Sequence, residues 1–327
     1  FDGLDVPGVD RESLAGRAAA PLDAAKQKAL TDFAEEARAA LRGPGAALAV
    51  VQGGKIGLEV ALGVRELGKA DRVTTRTPFL IGSATKSLST LLMAKAVDEG
   101  KLAWDAKVTA VDPSFALGDA ALTASITVEQ LVCACTGVPR TDLELLFTFA
   151  GQRPEDLVAR LGELKPTTKL GETFQYNNQL VAYGGFLAAR AFHPRLPLGG
   201  ACDRAMREQI LRPLGMTDAT FDVRGAAGRA AASPGHDVRG EVRVLPWSVE
   251  GFVVPLRPSG GLVAHAGDMA RYAIAELAKG RSVTGAQVAS EANVLRRRAP
   301  QIKVSDDVAY GLGLGAGRVK GIPFVEH

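Results

Sequence analysis

Phe79-Leu80-Ile81-Gly82-Ser83-Ala84-Thr85-Lys86-Ser87 opens the stretch that decides the fold. From Ser83 the chain reads SATKSLSTLLMAKAVDEG to Gly100. Leu88, Leu91, Leu92, Lys95, Ala96 and Glu99 recur with a helical period, so a helix is predicted over 83–100, stopped by Gly100. Its apolar content predicts that it is largely enclosed. Ser83 and Lys86 stand three apart at its start and share one face. A serine there can face a cleft while the free N–H groups of the first turn favour developing negative charge. A lysine one turn on can hydrogen-bond to its hydroxyl. If that lysine is desolvated, or lies near another cation, its pKa falls and it can take the serine proton. Taken alone, Ser-x-x-Lys reads more simply as a capping serine beside a snorkelling lysine.

Upstream, 1–21 contains Pro7, Gly8, Gly16 and Pro21 and reads as an irregular lead-in. An amphipathic helix is predicted over 22–41, ended by Gly43-Pro44-Gly45, and then two strands over 46–52 and 56–65 joined at Gly53-Gly54. Downstream, 101–250 reads mostly as short helices and loops. Thr127-Val128-Glu129-Gln130 has the form of a capping box before Leu131, Pro154 starts a short helix, and further helices cover 177–192 and 201–211, the latter closed by Pro213 and Gly215. Beyond Ser259-Gly260-Gly261-Leu262, helices are predicted over 268–279 and 284–296. The alternating glycines of 308–315 suggest a strand packed closely against other backbone, and 322–327 a second strand. No helix follows those glycines, so they are not a dinucleotide fingerprint. The expectation is a sheet-containing domain, 1–100 plus 251–327, interrupted by a mainly helical domain, 101–250.

The 327 residues carry 39 Lys and Arg against 36 Asp and Glu, a formal charge of +3, with 46% hydrophobic and 23% charged residues. This is a globular composition, long enough for a large core and about two domains. Such a charge gives no reason to expect nucleic acid or an anionic membrane as partner. The richest basic run, Arg296-Arg297-Arg298, is read as a solvated face. No apolar run of about 20 residues occurs, so no membrane span is indicated. Three cysteines, Cys133, Cys135 and Cys202, cannot all pair within one chain. A disulfide-dependent scaffold is therefore excluded, and the three are read as small buried thiols. The first residue is Phe1 rather than Met, which fits a mature exported chain or a trimmed one.

Two further segments could carry chemistry. Tyr176-Asn177-Asn178 follows Gly171-Glu172-Thr173-Phe174-Gln175 and precedes a helix. A phenol near a lysine and a serine can relay protons, and Asn178 offers an amide to a substrate and to the lysine. The simpler reading is a turn with an Asn helix cap. His327, on the edge of the last strand, could supply a donor, or a cation when protonated, opposite the serine. Its simpler reading is a loose terminal histidine. His193, His236 and His265, beside Pro194, Asp237 and Ala266, do not cluster with metal-ligand spacing. No Gly-x-Ser-x-Gly elbow, Walker loop or His-Glu-x-x-His is present, so no metal site and no zinc hydrolase are expected.

With these residues in view, the chain resembles the serine β-lactamase and penicillin-binding-protein superfamily, in the branch of class C β-lactamases, D-amino-acid peptidases and amidases, and β-lactamase-like esterases. FLIGSATKS is similar to its nucleophile segment, with Ser83 and Lys86 in the Ser-x-x-Lys positions. FQYNN is similar to its second motif, with Tyr176 and Asn178 as Tyr-x-Asn. ILRPLGMTDATF and PSGGLVAHAGDMARY resemble its framework segments. The resemblance implies an α/β fold of the β-lactamase/transpeptidase type, an antiparallel sheet flanked by helices with an inserted helical domain. It also implies acyl transfer without a cofactor. Ser83 attacks the carbonyl, Lys86 or Tyr176 accepts its proton, and water releases the acyl-enzyme. Asn178 holds Lys86 and the substrate side chain, and the Ser83 N–H is one oxyanion donor. The other donor belongs to a third-motif strand, Lys-Thr-Gly or His-x-Gly, of which His327 in GIPFVEH resembles the first residue.

Two departures bear on activity. LVCACTGVPR lies where the branch often has a Thr/Ser-His-Thr-Ser-Gly-like segment, with Cys135 taken as a packing substitute. His in place of Lys in the third motif removes a permanent cation for a β-lactam carboxylate. That favours a peptidase or amidase acting on D-amino-acid or small peptide substrates over a β-lactamase. A carboxylesterase and a non-catalytic binding homologue remain as alternatives. The resemblance further leads us to expect additional strands and a helix after the third motif, from a C-terminal companion chain made by cleavage after His327 or from a continuing segment. It also points to a periplasmic or secreted setting, with a cytoplasmic one open.

Overall fold

The computed structural model describes residues 13–232, 234–236 and 240–327. The first part of the expected lead-in, 1–12, and Asp237 lie outside the described residues. Helix α1 (Ala24–Ala40) starts where Asp23 caps it, its carboxylate accepting from the Lys26 N–H at 2.9 Å. Strands β1 (Gly45–Gln52) and β2 (Lys55–Gly63) follow as an antiparallel hairpin. Gly53 and Gly54 take φ of +59° and +74° at its turn, which only glycine adopts freely.

Strand β3 (Phe79–Leu80) pairs antiparallel with β6 (Val263–Ala264), and between them in sequence a short pair forms, β4 (Pro234–His236) with β5 (Val242–Val244). The C-terminal sheet is four-stranded and antiparallel in the order β10-β9-β8-β7. Its strands are β7 (Ile302–Lys303), β8 (Val308–Tyr310), β9 (Gly315–Val319) and β10 (Ile322–Glu326). Between β1, β10 and the helix Ala266–Leu277 runs a cleft of about 1060 Å³ lined largely by apolar side chains, among them Leu48, Val50, Met269, Ala273, Phe324 and Val325. Among the described residues no helix is long and apolar enough to cross a membrane.

Helix α2 (Thr85–Asp98) runs through the core. Leu88, Leu91, Leu92 and Met93 are buried, and so are its polar residues Thr85, Lys86, Ser87, Ser89 and Thr90. Each large aliphatic side chain so buried stabilises the fold by about 1.5–3 kcal/mol. The helix Asn178–Phe192 crosses α2 at a point where a side chain would not fit. A Cβ on Gly185 would lie 2.4 Å from the Pro258 Cβ.

Five expectations need correction. The predicted helix 83–100 begins two residues later, because Ser83 belongs to a 3₁₀ turn, Gly82–Ala84, that redirects the chain from β3 into α2. Glycines 311–315 do not sit in one strand. Gly311 N–H bonds to the Leu314 carbonyl at 2.8 Å, closing a turn between β8 and β9, and Gly313 takes φ +72° against Thr90 and the Lys86 carbonyl. The helix expected over 284–296 is the shorter Glu291–Arg298, capped by Ser290, because Gly280 and Gly285 turn the chain ahead of it. Arg297 is not solvated. Its guanidinium is fully buried, bonded to Glu276 Oε1 (2.6 Å), the Ser87 carbonyl (2.6 Å), Thr90 Oγ1 (3.1 Å) and the Tyr272 hydroxyl (3.2 Å). Finally, Cys133 and Cys135 are not thiols but a disulfide across one residue. Ala134 between them takes φ +53°, which folds the chain so that their Cα atoms lie 5.1 Å apart. Cys202 alone stays free, and it is buried.

Candidate active site

Ser83 is held by the strand before it and the helix after it. The Ile81 N–H bonds to the Leu262 carbonyl at 3.0 Å, and Thr85 Oγ1 donates to the Gly82 carbonyl at 2.7 Å while accepting from the Leu262 N–H at 3.2 Å. Ser89 Oγ donates to the Pro258 carbonyl at 2.6 Å. The segment 258–262 therefore fixes the first turns of α2, and with them the nucleophile candidate.

Lys86 Nζ lies 3.0 Å from Ser83 Oγ and 2.6 Å from the Ser259 carbonyl, with the Tyr176 ring centroid at 4.7 Å. Burial pushes the Lys86 ammonium down to about 7, the negative charge of Asp142 acting against the fall and the positive charge of Arg140 adding to it. As a neutral amine it keeps an N–H on the Ser259 carbonyl and turns a lone pair to the Ser83 hydroxyl. That arrangement fits a base for serine.

Tyr176 reaches the same place from another element. The Gln175 N–H bonds to the Ala134 carbonyl at 2.8 Å, and Gln175 Nε2 to Thr167 and Thr168, which sets the residue just before the helix Asn178–Phe192. Burial pushes the phenol up to about 12, partly offset by a hydrogen bond with Ser83 and the charge of Arg140. Near neutral pH Tyr176 is thus a proton donor, not a resting base. Its hydroxyl lies 3.1 Å from His327 Nε2. His327 is exposed overall, with its ring among Tyr176 and Tyr310 at centroid distances of 6.1 Å each. Burial of that ring and the nearby Lys86 charge push its pKa down to about 4, so His327 is neutral at pH 7.

Ser83, Lys86, Tyr176 and His327 therefore come together. Asn178 adjoins them but does not hold Lys86. Its Nδ2 donates to Asp142 Oδ2 at 2.5 Å, while Asn177 caps the helix by accepting from the Leu180 N–H at 2.9 Å. Two participants were not found in the sequence, Arg140 and Asp142. Arg140 Nε pairs with the same Asp142 oxygen, and its Cζ lies 5.6 Å from the Tyr176 ring centroid. Their only signal was position, directly after the unusual Cys133–Gly137 segment. Tyr310, edge-on to Tyr176, was also missed; its buried hydroxyl has no partner.

The other described histidines serve structure. His193 Nε2 lies 3.2 Å from Glu208 Oε2, and His265 caps its helix by accepting from the Asp268 N–H at 3.2 Å. The described residues contain no group of three His, Cys, Asp or Glu placed to hold a metal ion.

Comparison with known proteins agrees with this geometry. The chain is 27% identical over 257 residues to penicillin-binding protein 4 of Amycolatopsis lactamdurans, covering 78% of this chain and 65% of that protein. It is 25% identical over 258 residues to the unguisins hydrolase ungD of Aspergillus violaceofuscus, covering 74% and 44%. The chain thus spans less than two thirds of the length of either relative. Among solved structures it is similar in fold to the octameric penicillin-binding protein homologue from Pyrococcus abyssi, with a TM-score of 0.74 and 23% identity over 93% of this chain and 68% of that one. The beta-lactamase family model matches residues 30–327, which takes in Ser83, Lys86, Tyr176 and His327 alike, and on that match the chain belongs to the beta-lactamase family.

Proposed function

We propose that the protein is a serine hydrolase that forms an acyl-enzyme on amide or peptide bonds of small substrates. The observation that carries this reading is the buried Lys86 amine, 3.0 Å from Ser83 Oγ and depressed to about 7. Ser83 Oγ bonds to the substrate carbonyl carbon as its proton passes to Lys86 Nζ, and the Ser83 N–H faces the oxyanion. When the tetrahedral adduct collapses, the leaving amine takes a proton from the Tyr176 hydroxyl, which Lys86 restores through the Ser83–Tyr176 contact. Water then gives a proton to neutral Lys86, attacks the ester carbon, and frees Ser83 and a carboxylic acid.

The names of two relatives, a penicillin-binding protein and a hydrolase, support the hydrolytic reading at a coarse level. The neutral His327 supports amides ahead of β-lactams, since it supplies no permanent cation. The Cys133–Cys135 disulfide supports an exported, oxidising setting. A screen of D- and L-aminoacyl amides, short acyl esters and cephalosporins, each with wild type beside Ser83→Ala, tests the reading. Ser83-dependent release from an amide is expected. Fastest turnover of cephalosporins would make it a β-lactamase, fastest turnover of esters an esterase, and no Ser83-dependent turnover a binding protein.

A further inference from the structure

The catalytic residues leave the cleft without a cation of their own at neutral pH, because Lys86 is buried against Ser83 and His327 is neutral. Arg140 is different. Its side chain is 62% exposed, its Nε is tied to Asp142, and that carboxylate is held in turn by Asn178 Nδ2 at 2.5 Å. The guanidinium stands 5.6 Å from the centroid of the Tyr176 ring, whose hydroxyl meets Ser83. Neither terminal nitrogen, Nη1 or Nη2, has a protein partner.

We propose that Arg140 anchors a carboxylate on the substrate, gripping it with Nη1 and Nη2 while Asp142 and Asn178 hold the fork in place. The inference rests on the serine-hydrolase reading and names the substrate class for it: acyl compounds that carry a free carboxylate near the scissile bond. A planar guanidinium is suited to this because two parallel N–H donors match two carboxylate oxygens. Tethering at Nε removes rotamer freedom before the ligand arrives, so less is lost on binding. Asp142 does not compete as a site for an ammonium group. Its Oδ2 is taken by two donors and its Oδ1 is buried, whereas the exposed guanidinium is what an entering ligand meets first. The third-motif histidine leaves the cleft without a permanent cation from that side, and Arg140 brings one from the loop after Gly137.

Two matched pairs of chromogenic amides test this, one pair carrying a carboxylate or a carboxamide on the acyl side and one carrying the same groups on the leaving side. In wild type at low salt, one pair is expected to favour the carboxylate member by about tenfold or more, chiefly in KM. The ratio should collapse toward one in Arg140→Gln, be partly kept in Arg140→Lys, and shrink as salt is raised. Calorimetric binding of the same compounds to Ser83→Ala protein reads the anchor without any turnover. A wild-type ratio near one in both pairs, in kinetics and in binding, overturns the inference even if the variants fail to fold, and so does a preference that survives Arg140→Gln. Binding selectivity without turnover in wild type would keep the anchor and overturn the hydrolase reading instead.

Discussion

The amine of Lys86 sits 3.0 Å from the hydroxyl of Ser83 while a second hydrogen bond, 2.6 Å long, ties it to the Ser259 carbonyl. The lysine is therefore fixed by backbone from a segment more than 170 residues away and is free to exchange one proton with one serine. Because burial is the main cause of its depressed pKa, the charge of Lys86 is set by packing as much as by its neighbours.

This predicts a pH profile. Protonated Lys86 cannot accept the serine proton, so kcat/KM should rise with pH through an apparent pKa of about 7 and fall roughly tenfold per pH unit below it. The groups facing Lys86 are Asp142, Arg140, His327 and Tyr176. Asp142→Asn removes a negative charge and should move the acid limb to lower pH. The linkage sign for stability is also defined. Between about 7 and the ordinary 10.5 the unfolded chain keeps a proton on this lysine that the folded one has lost, so stability should increase as pH rises across that window. Rate and denaturation profiles on one sample check both.

Tyr176→Phe removes the proton donor while keeping the ring beside Lys86 and Tyr310. We expect kcat for amides to fall by about 10²–10⁴ with a small change in KM, and less for esters with good leaving groups, which need no proton. Equal loss on both substrate types would mean that the hydroxyl positions Ser83 rather than feeding the leaving group.

Arg297→Met leaves Glu276, already paired with Arg298, without its buried partner. The cost should be about 3–5 kcal/mol, a fall of roughly 10 °C in Tm. Adding Glu276→Gln should return part of it, because the stranded charge is then gone. Thermal denaturation of the single and double variants reads this directly.

Thiol counting tests the cysteine assignment. Burial raises the Cys202 thiol well above its usual pKa, so native protein should resist iodoacetamide. Unfolding without reductant should add one carbamidomethyl group, at Cys202, and unfolding with reductant three, one per cysteine. Three adducts without reductant would contradict the Cys133–Cys135 disulfide.

What could be read from the sequence is what repeats locally. Ser83 and Lys86 stand three apart where a helix begins, and Tyr176 stands just before another, so their elements followed from period and capping alone. Arg140 and Asp142 did not, since a loop pair two residues apart has no periodicity and acquires meaning only when Asn178 arrives from a distant helix. The three arginines at 296–298 looked alike in sequence. On a helix they point about 100° apart, so Arg297 turns inward to Glu276 and Thr90 while Arg296 faces Glu129 at the surface. The cysteines misled because their pairing depends on the positive φ of Ala134, a torsion that alanine does not advertise.

The most direct test of the central claim is the rate at which a small neutral fluorophosphonate labels the protein at pH 8, followed by peptide mapping. The adduct should lie on Ser83, and Lys86→Met should slow its formation by about a hundredfold or more while leaving the native fold, as read by near-ultraviolet circular dichroism. Labelling at another residue, or labelling of Ser83 at an unchanged rate in folded Lys86→Met protein, would contradict the assignment of Lys86 as the base.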